Sequence, residues 1–182
     1  MRIALFDTET TGLPIHFEGD LKQQPRIIEF GAIIVQDGII VEKVNQVINP
    51  QMQIEEIITK ITGLTQSDVD SGMLFKDFMP TIAATFEGAD CVIAHNLAFD
   101  RFLLQCEMRR MKLDLENVNW PSLEICSVQQ TTPSYGYRKK LEDLHNEHVG
   151  EFVQTHRASD DCELMLAVCQ KLGIIDMLEA LP

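Results

Sequence analysis

Acidic side chains occur at three widely separated places in this chain, each next to an apolar segment. Asp7 and Glu9 follow an apolar run at the N-terminus, Asp100 follows a second run, and Asp161 lies in the last long helical segment. A buried carboxylate is costly unless a cation or hydrogen-bond donors compensate it, and divalent cations such as Mg²⁺ prefer oxygen ligands. The pattern therefore predicts a divalent-metal site. From spacing alone, the alternative is a loop that opens at Asp7 with a solvated Glu9.

The spacing around Asp161 indicates which residues of this region face inward. At about 100° per residue, Asp161 falls on the same helical arc as the apolar Met165 and Val168, whereas Asp160 lies nearer the polar edge. His156 precedes Asp161 by five residues, which on one continuous helix would separate them by about 140°. If both residues share a site, His156 must lie on a loop before the helix.

The N-terminal segment is predicted to be a central strand. Alternation along a strand places Ile3 and Leu5 on the face of Asp7 and Glu9, and Ala4, Phe6 and Thr8 on the other. Both faces begin apolar, which is typical of a strand covered by helices on both sides, in a parallel or mixed sheet.

The remaining elements follow from turn signals and hydrophobic periodicity. Asp37-Gly38 favours a tight hairpin, so the first three strands should form an antiparallel meander. Asn96 is expected to cap the helix that carries Asp100. The predicted elements are a loop over 14–24, strands over 26–35, 39–48, 91–94 and 120–127, short helices over 50–70, and helices over 75–86, 97–111 and from 141 onward, with the last helix carrying Asp161.

Composition limits the class of protein. A chain of 182 residues that is 45% hydrophobic is expected to form one domain over residues 1–182. Its five cysteines have no Cys-x-x-Cys pair, which predicts reduced thiols in the cytoplasm. We expect neither a signal peptide nor a membrane-spanning segment. The formal net charge of −13 is unusual for a nucleic-acid-binding protein.

Three segments together resemble the exonuclease motifs of the DnaQ-like, DEDDh family. They are Asp7-Thr8-Glu9-Thr10-Thr11-Gly12-Leu13, His95-Asn96-Leu97-Ala98-Phe99-Asp100 and His156-Arg157-Ala158-Ser159-Asp160-Asp161. The resemblance implies an α/β, ribonuclease H-like fold: a mixed sheet, antiparallel in its first three strands with parallel additions, and helices on both faces. It also implies a 3′-5′ exonuclease that releases nucleoside 5′-monophosphates, which we expect to act on single-stranded DNA ends.

The same resemblance assigns roles by position. Asp7, Glu9, Asp100 and Asp161 would hold two Mg²⁺ or Mn²⁺ ions, and His156 would be the general base. Thr10 and Thr11 would meet the terminal nucleotide, Leu13 would pack against its base, and Asn96 and Phe99 would shape the pocket.

Two features depart from the family pattern. Thr62 stands where family members often carry a histidine, so substrate contacts there should differ. After the third motif we see no segment of the kind that docks a polymerase, which favours a free-standing nuclease or one that meets a polymerase or other replication or repair protein in trans.

Several alternatives stay open. The substrate could be RNA ends, and a more distant alternative is a non-catalytic module on the same fold that binds nucleic acid or protein. His145 and His148 are a weak candidate pair for zinc. The basic residues Arg138 to Lys140, and likewise Arg109 to Lys112, either follow phosphates or form a solvated face.

Overall fold

A six-stranded sheet organises the computed structural model, which describes residues 1–16, 19–152 and 154–181. The strands are β1 (Arg2–Thr10), β2 (Ile27–Gln36), β3 (Ile39–Asn49), β4 (Met73–Leu74), β5 (Cys91–Ala94) and β6 (Leu123–Cys126). Their spatial order is β4-β3-β2-β1-β5-β6. The pairs β1–β2 and β2–β3 are antiparallel, whereas β1–β5, β5–β6 and β3–β4 are parallel. The predicted mixed sheet is confirmed.

β1 is central and buried on both faces, as predicted. Ile3 and Leu5 enter one hydrophobic cluster, and Ala4 and Phe6 enter the other. The strand therefore separates two cores, and both of its acidic residues lie toward its carboxyl end.

The hairpin between β2 and β3 has the expected two-residue turn. Asp37 and Gly38 have φ angles of 52° and 73°. Positive φ at both central residues is the geometry of a type I′ turn, whose twist matches that of the flanking strands.

Helices cover both faces of the sheet. They are α1 (Glu56–Thr62), α2 (Gln66–Asp70), α3 (Phe75–Phe86), α4 (Leu97–Arg110), α5 (Ser127–Tyr135), α6 (Leu141–His148), α7 (Ala158–Lys171) and α8 (Ile174–Glu179), with a 3-10 turn at Leu115–Val118. α3 and α4 pack with Ala4 and Phe6, whereas α6, α7 and α8 pack with Ile3 and Leu5. Within the described ranges, no helix has both the length and the apolar character needed to cross a bilayer.

Two local predictions need correction. The strand predicted over 120–127 is shorter, because Trp120 leaves it to pack edge-on against Phe6, with ring centroids 5.4 Å apart. Asn96 precedes α4 but does not cap it through its side chain. It has a left-handed backbone (φ 72°), and its Oδ1 accepts a hydrogen bond from Arg138 instead.

One helix lacks a sequence prediction, and one predicted loop is described only in part. α5 was not predicted, because Pro133 inside it interrupts the usual helical signal. The predicted loop over 14–24 includes residues 17 and 18, which lie outside the described residues, and the rest of it contains neither helix nor strand.

Candidate active site

The sheet topology brings the three acidic segments to one edge. Asp7 and Glu9 stand near the carboxyl end of β1. Since β5 runs parallel to β1, the helix that follows β5 begins at the same edge and delivers Asp100, which is 2% exposed. The first turn of α7 delivers Asp161, which is 4% exposed.

α7 reaches this edge because it approaches β2 very closely. A Cβ atom on Gly31 would lie 2.3 Å from the carbonyl carbon of Ala158, the first residue of α7. Only glycine leaves room for this contact. Gly31 pairs with Asp7 in the β1–β2 ladder, so the contact sets α7 beside the acids of β1.

All four carboxyl groups have pKa values above their ordinary ones. Burial is the largest cause for each group, and repulsion between the acids adds to it. The pKa of Glu9 rises to about 8, that of Asp100 to about 7 and that of Asp161 to about 6, while the pKa of Asp7 rises well above its ordinary value. Without a cation, the site resists holding four negative charges.

Hydrogen bonds orient two of these carboxylates. The Thr8 backbone N–H and hydroxyl both donate to Oδ1 of Asp100, at 3.0 and 2.8 Å. Gln154 Nε2 donates to Oδ2 of Asp161 at 2.5 Å. The other oxygen of Asp161, Oδ1, is buried and has no hydrogen-bond partner among the described residues.

His156 lies on the loop before α7, as the five-residue offset required. Its φ angle is 51°, in the left-handed region, and α7 begins two residues later at Ala158. Ligand-type atoms of Glu9, His156 and Asp161 lie within 4.8 Å of one another, and this is the only such group of three among the described residues. His156 therefore shares the site, in reach either of a water molecule or of an ion.

The residues present fit a divalent cation. The donors are mainly carboxylate oxygens, which Mg²⁺ and Mn²⁺ prefer. Asp161 Oδ1 has no hydrogen-bond partner within residues 1–16, 19–152 and 154–181, and positive charge would relieve the repulsion that contributes to the raised carboxyl pKa values. The residues that could hold such ions are Asp7, Glu9, Asp100 and Asp161.

A buried ion pair next to the site escaped the sequence analysis. Glu29 of β2 is fully buried and pairs in register with Glu9. Arg157 donates to it from Nε at 3.1 Å to both oxygens and from Nη2 at 2.5 Å, and the Ala158 N–H donates to Oε2 at 3.1 Å. The feature of the sequence that could have indicated this pair is the single acid, Glu29, in the apolar run of β2. The pair fixes the residue that follows His156.

The predicted substrate-binding residues differ in exposure and in their position relative to the acidic residues. Leu13 is 78% exposed beyond the end of β1. Thr10 donates its hydroxyl to the Gly12 carbonyl, and the Thr11 hydroxyl accepts from the Arg26 N–H. Asn96 borders a cavity shared with Asp7 and Asp161, while Phe99 is partly buried against the core. Their contact with a nucleotide stays a prediction.

His145, His148 and Thr62 each have a structural partner away from the acidic site. His145 Nδ1 is 3.0 Å from the Gly150 carbonyl, and His148 Nε2 is 2.5 Å from the Tyr135 hydroxyl. Neither histidine belongs to a three-donor group in the part of the chain that the structure describes. Thr62 is buried and donates its hydroxyl to the Ile58 carbonyl, so it stabilises α1 internally.

The chain matches known proteins along most of its length. The RNase_T family model, described as Exonuclease, matches residues 5–169. The chain is 30% identical to DNA polymerase III PolC-type of Caldanaerobacter subterraneus subsp. tengcongensis over 93% of this chain and 12% of that protein. It is 27% identical to 3′-5′ exonuclease DinG of Bacillus subtilis over all of this chain and 18% of that protein.

The fold matches a solved nuclease domain. The nuclease domain of 3′hExo, described as a DEDDh family member bound to rAMP, aligns with a TM-score of 0.74 at 16% identity, covering 96% of this chain and 92% of that one. The expected ribonuclease H-like fold is thereby confirmed, as is the resemblance to DEDDh exonucleases. The chain belongs to the RNase_T exonuclease family.

Proposed function

We propose that the chain is a single-domain, metal-dependent 3′-5′ exonuclease that releases nucleoside 5′-monophosphates, with single-stranded DNA ends as its main substrate. The observation that carries the proposal is the convergence of four acids from three distant segments. One of them, Asp161, has a buried oxygen without a hydrogen-bond partner in the described part of the chain. The name of the relative DinG, a 3′-5′ exonuclease, supports the polarity.

The metal-binding role falls to Asp7, Glu9, Asp100 and Asp161, which would hold two Mg²⁺ or Mn²⁺ ions. Ions bound there would supply Lewis-acid stabilisation of the charge that develops during in-line displacement at a phosphate. The protein itself supplies orientation: the two hydrogen bonds from Thr8 fix Asp100.

His156 is proposed as the general base. It would accept a proton from the attacking water at one of its imidazole nitrogens. Its position before α7, within 4.8 Å of the nearest oxygens of Glu9 and Asp161, supports this role. The bidentate contact of Arg157 with Glu29 keeps this part of the loop in place.

Thr10, Thr11 and Leu13 are proposed to contact the terminal nucleotide, and Asn96 and Phe99 to shape the pocket around it. The exposed Leu13 would pack on its base, and Thr10 and Thr11 would approach it through their backbone. The polymerase name of the PolC-type relative supports DNA as substrate, and a polymerase as a partner in trans. The five buried free cysteines are compatible with a reducing compartment, which supports the cytoplasm.

RNA ends are the second candidate substrate. The 3′hExo nuclease domain was solved with rAMP, a ribonucleotide, and this favours keeping the alternative. The non-catalytic alternative is weakened because all five chemical residues are present and converge in space.

The test uses 5′-end-labelled oligonucleotides of one sequence, as DNA and as RNA, single-stranded and in duplexes, with Mg²⁺, Mn²⁺ or EDTA. We expect single-stranded DNA to shorten stepwise from its 3′ end most rapidly, and EDTA to stop the reaction. Faster shortening of RNA would select the second candidate. Oligonucleotides that keep their full length under all conditions, or cleavage of a circular single strand, would contradict the proposal.

A further inference from the structure

The basic segment Arg138 to Lys140 lies next to the acidic site. These three residues line the same cavity of about 400 Å³ as Asp7 and Asp161. Their sequence alone is compatible with phosphate contacts or with a solvated face. Their position beside the carboxylates of the active site favours phosphates.

A second cavity adjoins the first one. It has a volume of about 460 Å³, and the two cavities share Asn96, Val128 and Arg138. The Arg138 guanidinium donates to Asn96 Oδ1 at this shared border. The other walls of the second cavity are Ala98, Cys126, Gln129, Thr132 and Pro133. These walls are mostly apolar and carry no charge besides Arg138.

The cations of the segment differ in their availability. Lys139 forms an ion pair with Glu147 and lies 4.2 Å from the ring centroid of Tyr135, so its charge is already compensated. Arg138 is exposed and has no carboxylate partner among the described residues, since its recorded contact is the neutral amide of Asn96. A guanidinium group binds phosphate oxygens through two parallel hydrogen bonds.

We propose that Arg138 binds the phosphodiester immediately upstream of the scissile one, and that the 460 Å³ cavity receives the upstream nucleoside. This inference rests on the proposed nuclease function. A strand whose scissile phosphate lies at the carboxylates must continue into a neighbouring space, and Arg138 stands at the border of the adjoining cavity. When substrate binds, the Arg138 guanidinium gives up its hydrogen bond to Asn96 Oδ1 and donates to the phosphate oxygens.

Comparing kcat/KM for two substrates that differ by one upstream phosphodiester tests this assignment. A dinucleoside monophosphate contains only the scissile phosphodiester, whereas the trinucleotide of the same sequence adds one upstream phosphodiester. Hydrogen bonds from Arg138 to the added phosphate should raise kcat/KM of the trinucleotide roughly 10- to 100-fold above that of the dinucleoside monophosphate, the usual effect of hydrogen bonds to charged groups. We expect the wild-type protein to show this gain, Arg138→Ala to lose nearly all of it, and Arg138→Lys, which keeps the charge without the fork, to retain part.

Lys171→Ala is the matched control, because it removes one exposed positive charge at the far end of α7. It should keep the full gain. Thermal melting verifies that each variant is folded, and Arg138→Lys carries the test if Arg138→Ala fails to fold. A gain that persists in Arg138→Ala, or a wild-type protein without any gain, would overturn the subsite. A wild-type protein that cleaves neither substrate would instead overturn the proposed nuclease function.

Discussion

The Glu29–Arg157 ion pair provides a quantitative test of how the site is held together. Arg157→Met removes all three guanidinium hydrogen bonds to Glu29. It leaves a fully buried carboxylate with one donor among the residues that the structure describes, the Ala158 N–H. Breaking a buried ion pair typically costs about 3–5 kcal/mol of the free energy of unfolding. We expect the low end, about 3 kcal/mol, because the Arg157 side chain keeps contact with solvent. Arg157 is 37% exposed.

Unfolding in urea measures the loss directly, and thermal melting measures it independently. For a protein of this size, about 2–4 °C in Tm corresponds to each kcal/mol, so we expect a drop of about 6–12 °C. Lys43→Met is the matched control. It breaks a single-contact pair with Glu163 at 2.6 Å in which both side chains are about half exposed, and such pairs contribute about 1 kcal/mol or less.

The double variant Glu29→Gln with Arg157→Met separates charge from packing. Replacing the buried carboxylate by an amide of the same shape removes the uncompensated charge, so the double variant should be more stable than Arg157→Met alone. Turnover should fall in Arg157→Met, because Arg157 directly follows His156, and should be unchanged in Lys43→Met. If Arg157→Met loses no more stability than Lys43→Met, the pair does not fix this loop.

Two further predictions concern titration and catalysis. Folding raises the pKa values of the four carboxyl groups, so the folded protein binds more protons than the unfolded chain between about pH 4 and pH 8. In EDTA, the contribution of these four groups to the free energy of unfolding should therefore be largest below that window and fall as pH rises through it. Mg²⁺ or Glu9→Gln should flatten this slope in urea titrations, and a slope that Mg²⁺ leaves unchanged would contradict the assignment. His156→Ala should lose about 10²- to 10⁴-fold in turnover, the usual contribution of a general base, and still bind Mn²⁺. His148→Ala should match the wild type, and loss of Mn²⁺ binding in His156→Ala would make His156 a ligand instead.

Local sequence signals predicted the elements that carry the acids. Alternation in β1 placed Asp7 and Glu9 on one face, and helical periodicity turned Asp161 inward, because burial and secondary structure impose these periods directly. The Asp37-Gly38 turn was predictable for a similar reason: few residue pairs adopt positive φ at both positions.

Contacts between distant residues were not predictable in this way. Arg157 and Glu29 are separated by 128 residues, and only the packing of α7 on β2 at Gly31 brings them together. The side chain of Asn96 was expected to cap α4, but the competing donor Arg138 comes from a segment 42 residues away. Local patterns specify which faces are buried, and tertiary packing decides which polar groups meet.

Calorimetric titration of Mn²⁺ tests the metal-binding role of the acidic site most directly. We expect two ions per chain in the wild-type protein, weaker or reduced binding in Asp161→Asn, and wild-type binding in Asp160→Asn. The neighbouring acids differ because Asp161 has a buried oxygen that no described residue pairs with, whereas Asp160 accepts a hydrogen bond from Thr155 nearer the surface. Absence of Mn²⁺ binding in the wild type, or equal losses in the two folded variants, would contradict the proposed site.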